Sequence, residues 1–160
     1  MSIKQTLQQA ITHHKLYELQ QAEELYRAIL TDEPKHPDAN HNLGTLLKQN
    51  NQLDSALGFF KIALEANPNQ SQFWISYIDT LIHLRQLDLA RNILEVGQSK
   101  GLKGDMINQL AERLNSQLEK AKSTNPTPIK TIKPERLLAR AKSHTKKGEI
   151  EAARRLYSTV

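Results

Sequence analysis

The sequence predicts an all-α fold, an array of stacked antiparallel helix pairs closed by a capping helix. Three observations carry this expectation. Ala22, Tyr26 and Pro34 recur with a period of 34 as Ala56, Phe60 and Pro68, and Ala90 and Leu94 continue the series. Within each period the apolar residues fall at helical spacing. The first two periods are also punctuated by Asn or Pro, residues that end helices. A fixed period of this length is the mark of helical units that cannot bury an apolar face alone and must stack on their neighbours.

Taking repeats to begin at Ile3, Pro37 and Ser71, each unit reads as helix, short turn, helix. In the first, Leu7, Ala10 and Ile11 lie on the first helix, and Leu19, Ala22, Tyr26, Ile29 and Leu30 on the second, which Pro34 stops. In the second, Ala39, Leu43, Leu46 and Leu47 form one stripe, Asn50 and Asn51 break the helix, and Leu53, Ala56, Leu57, Phe60 and Leu64 form the other. Gly44 lies inside that first stripe. A glycine in mid-helix costs about 0.5–1 kcal/mol, so close approach of the partner helix is expected there. The third unit holds Trp74, Tyr77, Ile78 and Leu81, then Leu87, Ala90, Ile93 and Leu94. Gly97 and Gly101 follow it, with no closing proline, as in a terminal repeat. The large rings are expected in the core.

Asp105 reads as an N-cap for a helix through about Ala121, with Ile107, Leu110, Ala111, Leu114 and Leu118 on one face. This helix would cap the open end of the array. Residues 122–134 read as a Pro- and Lys-containing linker. In residues 135–160, Leu137, Leu138, Ala141, Gly148, Ala153, Leu156 and Tyr157 return at repeat spacing, as the start of a further, truncated helix pair. The expectation is that this chain is the N-terminal part of a longer protein.

These residues resemble the tetratricopeptide repeat (TPR). Trp74 stands at the family's aromatic position 4, Leu43-Gly44 at 7–8, and Ala22, Ala56 and Ala90 at 20. Tyr26 and Phe60 stand at position 24, Ala63 at 27, and Pro34 and Pro68 at 32. The resemblance covers residues 3–104. It implies a right-handed superhelix that binds a peptide or protein segment in a concave groove lined by the first helices. The groove residues it implies are Lys4, Leu7, Ile11, His14 and Lys15 in the first unit. In the second they are Asp38, His41, Asn42, Thr45, Lys48 and Gln49, and in the third Gln72, Ile75, Asp79, Ile82 and His83. One subclass grips the terminal carboxylates of heat-shock chaperones with five polar residues. Their equivalents here are Leu7, Ile11, Asn42, Gln72 and Ser76, and without cationic donors the charge-assisted bonds of that clamp cannot form. Residues 37–118, with the runs HPDANHNLG and ANPNQSQFWISYIDTLIHLRQLDLARNILEVG, also resemble the repeat region of bacterial multidomain transferases. These are SPINDLY-type glycosyltransferases and repeat-bearing sulfotransferases. That resemblance would make the chain a substrate-recruiting arm, its catalytic domain beyond residue 160.

Composition narrows the remaining classes. Cysteine is absent, which excludes disulfides and thiolate metal sites. The six histidines include no i, i+4 pair, and no metal, cofactor or catalytic residue is expected. With no secretory signal and no long apolar run, a cytoplasmic protein without membrane contact is expected. Residues 1–119 carry a net charge of −3 and residues 120–160 a net of +8. The basic stretch could meet an anionic partner. Apart from Tyr157 it has no interleaved aromatics to stack on bases, which disfavours nucleic acid. An unfinished terminal hairpin also makes self-association an expectation.

Overall fold

Seven helices follow one another in the computed structural model, which describes residues 1–124. They are α1 (Ile3–Lys15), α2 (Leu19–Asp32), α3 (Pro37–Gln49), α4 (Leu53–Ala66), α5 (Ser71–His83), α6 (Leu87–Ser99) and α7 (Asp105–Thr124). Met1–Lys120 make one compact unit. The truncated helix pair of residues 135–160, with most of the basic stretch, lies outside the described residues. None of the described helices is long and apolar enough to cross a membrane.

Local chemistry sets the helix starts. Ser2 and Gln5 form a reciprocal capping box on α1, so two otherwise orphaned amides are satisfied. The Ala39 amide donates to the His36 ring at 3.3 Å, and Pro37 follows at the first helical position, where its missing N–H costs nothing. Asp105 differs from its expected role. It is the first residue of α7, and the preceding Gly104 carbonyl accepts from the Ile107 and Asn108 amides. The helix continues past Ala121 to Thr124, through residues read from sequence as linker.

The turns inside the three pairs are copies of one another. Tyr17, Asn51 and Arg85 are the non-glycine residues with positive φ among those described, at 61°, 59° and 60°. After each, an amide reaches back to the last turn of the preceding helix. Glu18 N donates to His13 O, Gln52 N to Leu47 O and Gln86 N to Leu81 O, at 2.9–3.0 Å. This is the Schellman closure, which needs one left-handed residue at each site.

The core runs along the array as one cluster. Ala10, Ala22 and Tyr26 enter from the first pair, Leu43, Leu46, Ala56 and Phe60 from the second, and Ile78, Leu81, Ala90 and Leu94 from the third. Ile107, Leu110 and Leu114 of α7 continue it, so α7 covers the stacking face of the third pair. Between pairs, one repeat position ties each inner helix to the loop before it. Asn40 Nδ2 donates to Pro34 O at 3.0 Å, and Trp74 Nε1 donates to Pro68 O at 2.8 Å.

Candidate peptide-binding groove

The inner helices α1, α3, α5 and α7 present their polar positions to one another, and side chains bridge each step. His14 of α1 meets Gln49 Oε1 of α3 at 3.0 Å. His41 of α3 meets Ser76 Oγ of α5 at 2.9 Å. Lys48 of α3 and Arg113 of α7 both bond the carboxylate of Asp79 on α5. These rungs mark out one continuous face along the inner helices.

Two hollows open on that face. The first is lined by Ile11, His14, Lys15, Tyr17, Tyr26, Asn42 and Gln49. The second, of about 390 Å³, is lined by Lys48, Gln72, Ile75, Ser76, Asp79, Met106, Gln109, Leu110 and Arg113. Most of the groove residues read from sequence thus gather at one or other hollow. His41 and Thr45 line neither hollow, Thr45 donating its hydroxyl to the His41 carbonyl at 3.0 Å. His83 Nδ1 lies 2.8 Å from the Asp79 carbonyl, at the outer edge. Lys4 is exposed at the start of α1, and Leu7 is half-buried against the core; neither lines the two hollows.

Ile82 is a correction. It is 1% exposed and belongs to the core, where it cannot meet a ligand. Helix α5 is buried nearly all round, because α7 packs where an open end would otherwise leave α5 solvated. The same packing explains what the sequence reading missed. Met106, Gln109, Leu110 and Arg113 line the second hollow from α7, a helix read as a cap alone. The available signal was an amphipathic helix carrying an arginine among polar residues on its outer face.

The electrostatics of the groove follow from burial. Burial alone pushes the Asp79 carboxyl up, but the bonds and charges of Lys48 and Arg113 outweigh it and hold the group below the usual carboxylate range. Desolvation pushes His41 below its ordinary value, against the opposing influence of Asn42 and Asp38. Burial raises the Tyr26 hydroxyl to about 12, so it stays protonated beside His14. Among the described residues, no three Asp, Glu or His side chains gather as metal ligands.

The class that this fold defines is an all-α TPR array. A tetratricopeptide-repeat family model matches residues 14–75. The fold is similar to the TPR domain of Sgt2 from Aspergillus fumigatus, at 18% identity and a TM-score of 0.68, covering 79% of this chain and 85% of that one. It is similar to the first TPR of Spaghetti (RPAP3) bound to the HSP90 peptide SRMEEVD, at 12% identity and a TM-score of 0.66, covering 73% and 93%. The TPR2B domain of yeast Sti1, in a complex with pHsp70, is similar at 16% identity and a TM-score of 0.65, covering 72% and 97%. No curated protein matches the sequence.

Proposed function

We propose that this chain is an interaction scaffold that holds a peptide or extended protein segment along the face of α1, α3, α5 and α7. The observation that carries the reading is the pair of hollows on that one face, lined by polar side chains beside Ile11, Ile75 and Met106. Few placed polar groups among apolar contacts suit an extended segment. The likeness to arrays bound to chaperone peptides supports the mode of binding. It does not extend to those peptides, because only Asn42 of the five carboxylate-clamp positions matches here and the cationic donors are missing.

The test is site-specific photo-crosslinking on the whole chain. A peptide is first selected from a display library. A benzoylphenylalanine replaces Gln49 on the inner face or Glu95 on α6, both exposed. Crosslinking from position 49 and not from position 95 is expected. Crosslinking from position 95 alone, or equally from both, would overturn the reading.

A second reading follows from the transferase-like runs within residues 37–118. There the same groove would recruit the substrate of a glycosyl- or sulfotransferase domain encoded beyond residue 160. Reading the gene past the codon for Val160 tests it: a transferase domain in frame supports it, and an immediate stop codon ends it.

A further inference from the structure

We propose that Asp79 is the specificity-determining residue of the groove. Its carboxylate occupies the anion subsite formed by Lys48 and Arg113, so the groove takes a segment that is apolar and uncharged at this point and rejects acidic tails. This inference rests on the groove reading above.

Lys48 and Arg113 reach Asp79 from helices on either side of it, and all three side chains line the second hollow. Their side chains keep 29% and 43% of their exposure, so both cations belong to the groove surface and are not sealed in the core. In their own right they would offer a paired cationic site, with the geometry that favours a carboxylate. The Asp79 side chain, 16% exposed, already fills that site. His83 Nδ1, 2.8 Å from the Asp79 carbonyl, stands 3.4 Å from Asp79 Oδ2.

An incoming carboxylate therefore meets two cations that are already paired, together with the negative charge of Asp79. Rejecting a competitor in this way requires a repulsive element as well as an attractive one, and Asp79 is that element. The rest of the hollow points to the accepted partner. Ile75 and Leu110 form an apolar floor, Met106 stands 59% exposed at its edge, and Gln72 and Gln109 offer uncharged hydrogen bonds. Methionine adapts its shape to an apolar side chain and suits a groove for such a segment.

The experiment uses the whole chain and fluorescence anisotropy. The probe is a fluorescein-labelled, glutamate-rich heptapeptide with a free C-terminal carboxylate. Wild type is expected to bind it weakly. Asp79→Asn keeps the shape of the side chain, removes the charge, and should tighten binding by about tenfold, a gain that salt diminishes. Adding Lys48→Met to Asp79→Asn should remove most of that gain. A folded Asp79→Asn protein that binds the probe no better than wild type would overturn the proposal.

Should that variant fail to fold, a glutamate scan through the display-selected peptide puts the question to wild type. One position should weaken by about tenfold, and a scan with no penalised position would overturn the proposal. The two failures are distinguishable: crosslinking off the inner face would overturn the groove reading and this inference with it, whereas crosslinking on that face with no gain of binding in Asp79→Asn would overturn this inference alone.

Discussion

In the α3–α4 pair the closely packed glycine, Gly44, is on the inner helix and the large ring it meets on the outer one; Gly58 of α4 faces open space. In the α5–α6 pair the arrangement is reversed. A Cβ built on Gly44 would stand 2.9 Å from two ring carbons of Phe60 and 3.3 Å from the Ala56 carbonyl oxygen. One repeat later, Ile78 takes the place of Gly44 and Leu94 the place of Phe60, both buried. There the close approach belongs to Trp74 and Gly97. A Cβ on Gly97 would stand 3.0 Å from the indole and 2.8 Å from Leu102 Cδ2. In the α3–α4 pair those two positions hold Asn40 and Ala63. Where the inner residue grows, its outer partner shrinks. The repeat conserves volume between facing positions, and residue identity only where volume demands it.

The largest expected effect breaks that complementarity at one position. Gly44→Ile places the residue of the third pair opposite the ring of the second, and should cost about 3 kcal/mol in urea denaturation. Adding Phe60→Leu restores the combination seen in α5–α6. The double variant should be more stable than the sum of the two single changes by about 1 kcal/mol or more. Strict additivity would show that the two positions do not compensate.

The second test moves to the reversed pair. Gly97→Ala should cost about 1–3 kcal/mol, because Leu102 and the Trp74 ring must both shift, and this outweighs the gain in helix propensity. Trp74 is the single tryptophan of the chain, so its emission should change in the folded state. The mirror change, Ala63→Gly in α4, meets no clash and should cost about 1–2 kcal/mol, from helix propensity and the loss of one buried methyl, with no change in Trp74 emission. Equal losses at the two sites, with Trp74 emission unmoved by either change, would undo the contrast between the pairs.

Much of this architecture was legible in the sequence for a simple reason. Helix period and repeat period are both written in apolar positions, and Ala22, Ala56 and Ala90 are all fully buried. Gly44 announced its close contact because an unexplained glycine in a helix needs one. The groove was harder to read, since positional analogy assumes that every repeat has the same neighbours. Ile82 fails that assumption: α7 packs beside α5, and a position that would face a ligand in mid-array is core at the end. Arg113 was missed for the same reason, because its partner Asp79 is remote in sequence and no local pattern joins them. The left-handed Tyr17 and Arg85 also left no trace, since neither residue type signals that conformation.

A pH dependence should separate the second pair from the third. His41 packs between Phe60 and Phe73, with ring centroids 5.5 Å and 4.9 Å away, whereas α5 carries Ile75 at the same repeat position. Its folded pKa lies below the ordinary 6.5 through desolvation, so the unfolded chain takes up the proton more readily. The contribution of His41 to stability is therefore complete above pH 6.5. It declines as pH falls through that value and on through the folded pKa. Urea midpoints should drop over this window, and His41→Gln should flatten the slope. An unchanged slope in that variant would assign the dependence to another group.

The smallest effect compares the three internal turns, which share one backbone shape but differ in residue. A left-handed conformation costs most side chains about 1–2 kcal/mol, least for asparagine and nothing for glycine, which instead loses more entropy on folding. Tyr17 is 84% exposed, so its ring contributes little packing to set against the strain. Tyr17→Gly should therefore raise stability by about 0.5–1 kcal/mol. Arg85→Gly should gain less, because Arg85 Nη1 donates to Gln117 Oε1 at 2.9 Å and that bond would be lost. Asn51→Gly should change stability least of the three, since asparagine already tolerates this backbone. If Tyr17→Gly instead weakened binding of the display-selected peptide while raising the urea midpoint, the exposed ring would be a ligand contact. The strain would then be retained at the first hollow for binding and not for folding.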